Sequence, residues 1–254
     1  MASAHPGTLR AHRRAVALGV VLAGCVFDYW RLRRRGSLSL QECALWLQSS
    51  CRKVLACLGI ESRIHGNPPE RGLVVANHLS YLDIIVLSAA MPCSFVAKSE
   101  IARWPLFGEA ARAGGTIFLV RTSRASANSV ASEIERRLAM PIPVLLFPEG
   151  TSTDGGRVLR FHSRLIDPAI VAGAPVTAVA LHYSADGVDE RELCWFGNAL
   201  FLTHLWKTLG RAGVQAELRF GTPRVYTDRR TAARETHAEV VAMRGAWRAP
   251  GEPA

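Results

Sequence analysis

From residue 72 onward, short apolar runs alternate with stretches of helical periodicity, and this alternation constrains the fold more than any other feature. "LVVA", "SFVAK", "TIFLV", "PVLLF", "PVTAVAL" and "QAELRF" read as strands, several of them apolar enough for burial on both faces. Between them, "YLDIIVLSAAM", "WPLFGEAARA" and "ASANSVASEIERRLA" read as helices. Strands interleaved with helices predict an α/β domain over about 64–225. A helix is expected over roughly 231–247, with a disordered tail over 248–254.

The amino-terminal part follows a different pattern. Residues 15–27, "AVALGVVLAGCVF", are uniformly apolar, with "HRR" before them and "RLRRR" after. As a helix this run spans about 20 Å, short of the roughly 30 Å hydrocarbon core of a bilayer. Three readings remain open. One is an interfacial or partly inserted helix, its arginines on lipid phosphates and Tyr29 and Trp30 at the headgroups. The second is a strained true span, and the third an export signal in which "LAGC" ending at Cys25 serves as a lipoprotein cleavage box. Residues 39–60 place apolar side chains at helical spacing, with a capping box at Ser39 and Glu42 and a glycine stop at Gly59. That helix either packs on the core or forms a membrane-facing hairpin with the first segment.

The formal net charge of +10 suits an anionic membrane surface, a phosphorylated substrate or nucleic acid. No nucleic-acid motif with interleaved aromatic residues accompanies it, so no nucleic-acid partner is expected. The six cysteines lack CxxC pairing and sit in apolar contexts, where a thiol acts as a small hydrophobe. No His, Cys, Asp and Glu set has metal-ligand spacing, and neither a GxGxxG sequence nor a P-loop lysine is present.

The chemistry is concentrated where a buried strand ends, at "NHLSYLD", residues 77–83. On one regular helix His78 and Asp83 would point about 140° apart. With His78 in the loop after the strand and Asp83 one turn into the next helix, the carboxylate reaches an imidazole nitrogen. It then fixes the tautomer and leaves the other nitrogen as a general base. The competing reading is that Asn77, Ser80 and Asp83 merely cap the helix.

"NHLSYLD" resembles the NHxxxxD signature of the glycerolipid acyltransferases, the 1-acylglycerol-3-phosphate acyltransferase superfamily. Three more blocks occur in that family's order: "GTIFLVR" at 115–121, "FPEGTST" at 147–153 and "APVTAVAL" at 174–181. The resemblance covers roughly 65–225. It implies a mixed sheet flanked by helices, with an amino-terminal membrane-associated helical segment. It also implies acyl transfer from acyl-CoA or acyl carrier protein to the free hydroxyl of a lysophospholipid, with no cofactor and no acyl-enzyme. His78 is then the catalytic base and Asp83 its orienting partner. Arg121, Glu149, Gly150, Thr151 and Lys98 are the substrate-binding residues, and Ser80 is a local hydrogen-bonding residue. His162 and His182 receive no role.

One departure from the family pattern bears on the acceptor: Ser152 stands where many members carry arginine, which removes a phosphate contact. Ala178, near the position of a common proline, is a detail of the strand. The continuation "TSTDGG" is a pattern shared with bacterial enzymes acting on lyso-ornithine lipid. The first expectation is therefore 1-acyl-sn-glycerol-3-phosphate acylated to phosphatidate, with lyso-ornithine lipid as the alternative. A non-catalytic lipid-binding protein is the rival from another class. The expected organisation is membrane-associating basic helices over 1–62, an acyltransferase domain over 63–228, and a carboxyl-terminal helix and tail over 229–254. The expected location is the cytoplasmic face of the inner membrane.

Overall fold

Two helices open the chain, α1 (Pro6–Arg33) and α2 (Leu40–Leu58). They are followed by β1 (Ile60–His65), β2 (Leu73–Ala76), α3 (Leu82–Ala90), β3 (Ser94–Lys98), α4 (Phe107–Ala113), β4 (Ile117–Leu119) and α5 (Arg124–Leu138). Then come β5 (Val144–Leu146), α6 (Asp167–Val171), β6 (Val176–Ser184), α7 (Phe201–Gly210), β7 (Val214–Phe220) and α8 (Arg229–Gly245). This computed structural model describes residues 6–104, 107–119 and 124–247, so Arg121 and the tail over 248–254 lie outside the described residues.

The strands form one sheet in the order β1-β7-β6-β2-β5-β3-β4. Every neighbouring pair is parallel except β6 with β7, which makes the sheet mixed. All four residues of β2 are buried, as its unbroken apolar sequence requires of a strand covered on both faces. Val74 and Ala76 face a core shared with α2, α3 and α7, while Leu73 and Val75 face the core under α5, α6 and α8. Because β2, β5, β3 and β4 run parallel, their carboxyl ends share one edge of the sheet, where loops of α/β proteins gather ligands.

Local signals at α2 act as read. Ser39 Oγ accepts the Glu42 N–H, the Glu42 carboxylate accepts the Ser39 N–H, and Gly59 closes the helix in the left-handed region at φ 68°. The apolar segment at 15–27 belongs to a longer helix, because the flanking arginine, leucine and alanine residues are good helix formers. At 28 residues, α1 is about 42 Å long and meets the length and hydropathy needed to cross a bilayer. Its inward stripe runs through Ala11, Arg14, Leu18, Val21, Cys25 and Leu32, against α2 and α7. Arg14 bonds the carbonyls of Leu209 and Arg211 at the carboxyl end of α7, and Trp46 of α2 donates to the Cys25 carbonyl. The α2 helix packs against α1 and buries Leu55 and Leu58 in the core, as the core-packing reading expects.

Three elements, β1, α6 and α7, carry no expectation from the sequence. β1, "IESRIH", has one buried residue and five exposed ones and is held as an edge strand by parallel pairing with β7. It spans the 62–63 boundary between the amino-terminal helices and the main domain. α7, "FLTHLWKTLG", connects β6 to β7 and packs on α1.

Candidate active site

At the end of β2 the chain peels away from β6, and the Asn77 side chain replaces the lost ladder. Its amide nitrogen donates to the Leu181 carbonyl at 3.2 Å and its oxygen accepts the Leu181 N–H at 2.8 Å. The main chain is thereby freed to turn and present His78. Asp83, in the first turn of α3, is fully buried and receives four donors. Its Oδ2 accepts from His78 Nδ1 at 2.7 Å, Leu79 N at 2.6 Å and Ser80 N at 3.0 Å, and its Oδ1 accepts from Tyr183 Oη at 2.8 Å.

The Asp83 carboxylate therefore organises the loop and holds the histidine at once, so the capping and catalytic readings describe the same group. With Nδ1–H donated to Asp83, Nε2 keeps its lone pair for a substrate proton. The imidazole lies flat against the Phe147 ring, centroids 4.1 Å apart and planes 14° apart, and remains partly open to solvent. Burial and the Asp83 charge keep the Tyr183 phenol protonated by pushing its pKa well up.

The segment after β5 grips the same histidine from behind. Glu149 Oε1 accepts the His78 N–H at 2.8 Å, while Thr153 donates its N–H to the His78 carbonyl at 2.9 Å. The second Glu149 oxygen accepts Leu159 N at 2.7 Å, and the side chain is 4% exposed. Glu149, expected among the substrate-binding residues, thus points inward and holds the His78 main chain. Burial pushes its carboxyl up to about 7, partly offset by the two main-chain donors. Gly150 takes the left-handed region at φ 72°, which a tight turn after the strand demands, and its N–H is engaged by the Phe147 carbonyl. The main-chain amide of Gly150, a residue expected to bind substrate, is therefore engaged within the turn.

Thr151 lies exposed in this loop, and Lys98 is exposed at the end of β3 on the same sheet edge. Ser80 is buried, its Oγ accepting the Leu82 N–H. His182 bonds Glu190 at 2.9 Å and stacks on Trp247, away from His78. A cleft of about 1000 Å³ opens elsewhere, between the ends of α2 and α3 and the start of β7, and contains none of these residues. Its arginines Arg14, Arg52 and Arg211 bond carbonyl groups.

Three positioning residues escape the sequence reading: Tyr183, Thr153 and Asn77 in its strand-mimicking role. Strand alternation alone places Tyr183 on the face of Leu181 and Val179, toward α3. Which strand neighbours β6 is what the sequence does not state.

The family model described as Acyltransferase matches residues 60–182. A lyso-ornithine lipid O-acyltransferase of Pseudomonas aeruginosa is 35% identical over 89% of this chain and 87% of its own length. A 1-acyl-sn-glycerol-3-phosphate acyltransferase of Neisseria meningitidis is 41% identical over 52% of this chain and 53% of its own. The crystal structure of the 1-acyl-sn-glycerophosphate acyltransferase PlsC from Thermotoga maritima superposes with a TM-score of 0.70 at 19% identity, covering 97% of both chains, a likeness of fold.

Proposed function

This chain belongs to the acyltransferase family as a lysophospholipid-type O-acyltransferase, and from that premise we propose that it acylates the free hydroxyl of lyso-ornithine lipid at a membrane surface. The observation that carries the reaction is the His78–Asp83 pair, with Nδ1 held at 2.7 Å and Nε2 left for a proton. His78 Nε2 takes the hydroxyl proton as the oxygen attacks the thioester carbonyl. The tetrahedral intermediate collapses with cleavage of the carbon–sulfur bond, and the imidazolium returns the proton to the departing thiolate. Asp83 supports the imidazolium charge between those two events. Acyl-CoA or acyl carrier protein supplies the thioester, and no acyl-enzyme forms.

For the acceptor, similarity along most of the chain to lyso-ornithine lipid O-acyltransferases outweighs similarity over half of it to 1-acyl-sn-glycerol-3-phosphate acyltransferases. Ser152, uncharged and half-buried, removes a cation suited to a phosphate headgroup. Transfer to 1-acyl-sn-glycerol-3-phosphate, giving phosphatidate, is the second reading and is favoured by the 41% identity to the Neisseria enzyme. Both place the enzyme on the cytoplasmic face of the membrane, where acyl thioesters are made. Lys98, Thr151 and Arg121 remain substrate-contact proposals.

The test is purified protein with labelled acyl-CoA or acyl carrier protein and a panel of lysolipids, products being identified by mass spectrometry. An acylated ornithine lipid as the main product supports the first reading. Phosphatidate as the main product replaces it with the second, and thioester consumption with neither acceptor overturns both.

A further inference from the structure

The outward faces of α1 and α7 form one apolar surface although the two helices are far apart in sequence. Leu200 and Leu202 are each 74% exposed, and Trp206, one turn further along α7, is also exposed. On α1, Val16 and Val20 are 70% and 69% exposed. The helices run side by side in opposite directions. Gly7 approaches the Gly210 backbone, and His12 meets the edge of the Trp206 ring at 4.9 Å. Continued by one turn, this register sets Val16 level with the start of α7.

On these two helices the unpaired charge has one sign. α7 contains no acidic residue, and the one acid of α1, Asp28, is paired at 2.9 Å with Lys53 of α2. Lys207 and Arg13 are exposed beside the apolar residues. A leucine–valine–tryptophan surface bordered by cations complements an anionic lipid surface, the apolar groups entering the acyl region and the cations meeting phosphates.

We infer that α7 is a second membrane-docking element, inserted beside α1 into one leaflet of an anionic bilayer. The inner face of α7 transmits that placement to the catalytic loop. Buried His204 lies with Nδ1 3.2 Å from the Tyr81 hydroxyl and Nε2 3.2 Å from the Leu193 carbonyl. Phe201 packs edge-on to Tyr81 at 4.8 Å, and Trp195, in the loop before α7, donates its main-chain N–H to the Leu79 carbonyl at 2.9 Å. Leu79 and Tyr81 flank Ser80 in the segment that carries His78. The depth at which α7 sits therefore sets the height of the imidazole above the lipid hydroxyls. The choice of a bilayer as occupant rests on the lysolipid reading, but membrane binding is measured without turnover, so failure of one is distinguishable from failure of the other.

The experiment measures co-sedimentation with vesicles of mixed phosphatidylglycerol and phosphatidylcholine. It compares the wild type with Leu200→Ser/Leu202→Ser/Trp206→Ser and with a control, Val171→Ser/Val225→Ser/Val241→Ser, whose exposed apolar residues lie outside this patch. Thermal melting and transfer to a monomeric short-chain lysolipid confirm that each variant is folded. The α7 variant is expected to lose about tenfold or more in vesicle partitioning, with the control unchanged. Equal binding of wild type and α7 variant overturns the inference. So does a wild-type dimer that the α7 variant disperses while vesicle binding stays intact, because a second copy would then be what covers the patch.

Discussion

Tyr183 Oη lies 2.8 Å from Asp83 Oδ1, on the oxygen opposite the one that holds His78. The phenol belongs to β6 and the carboxylate to α3, so the His78–Asp83 pair is braced by a strand outside the segment 77–83. A buried carboxylate with both oxygens engaged cannot rotate, and the imidazole it orients is fixed in turn.

Removing the phenol separates bracing from chemistry. Tyr183→Phe keeps the ring and deletes one of four donors, so unfolding free energy is expected to fall by about 1–3 kcal/mol, with a modest loss of kcat. Asp83→Asn presents an amide to Nδ1 and favours the wrong tautomer, and a fall in kcat of about 10²–10⁴ is expected. Steady-state kinetics and urea unfolding on the two variants check the ordering.

Loss of the base itself is more direct. His78→Ala is expected to lower kcat by about 10²–10⁴ while thioester and lysolipid still bind. A His78→Ala protein with full transfer activity removes the general-base assignment.

Glu149 makes a pH-dependent contribution to stability. Burial raises its carboxyl from 4.5 to about 7, so across that window the folded protein keeps a proton that the unfolded chain has released. Stability from this group is intact below about pH 4.5 and is lost as pH rises through about 7, by on the order of 3 kcal/mol in total. In Glu149→Gln that slope disappears. The difference in unfolding free energy between pH 5 and pH 8 should shrink by roughly 2–3 kcal/mol, against a general cost from leaving one main-chain N–H unpaired.

Arg244 of α8 closes the far side of the site's support. Its guanidinium is buried, bonded to the Leu181 carbonyl, to the Gly155 carbonyl at 2.8 Å and to Glu190 Oε2 at 2.6 Å. Leu181 is the residue that Asn77 clasps, and Gly155 follows the loop that grips His78. Burial alone would raise the Glu190 carboxyl, but hydrogen bonds from His182 and Arg244 outweigh it and hold it below its ordinary value. Arg244→Met strands that carboxylate, and a loss of about 3–5 kcal/mol in stability is expected. In a double-mutant cycle, Glu190→Gln combined with Arg244→Met should cost less than the sum of the two.

What was legible in the sequence followed the range of the forces involved. The capping box at Ser39 and the glycine stop at Gly59 are contacts within a few residues, and both are present as read. The buried strands were legible because two covered faces leave no polar position in β2 or β5. β1 escaped because an edge strand with five exposed residues carries no apolar pattern; its partner β7 defines it. At the site, the five-residue spacing of His78 and Asp83 carried the main contact. The residue types at 149–153 signalled importance without direction, so Glu149 was read as facing substrate when its carboxylate faces the His78 main chain. Tyr183 and Thr153 depend on strand order, which no local pattern records.

The double hold on the His78 peptide, N–H to Glu149 and carbonyl to Thr153, limits how portable this chemistry is. Transplanting the seven residues 77–83 onto another α/β scaffold would carry over the acid–base couple but leave its anchorage behind. A designer would need to import both loops, and the spacing between their parent strands, as one unit.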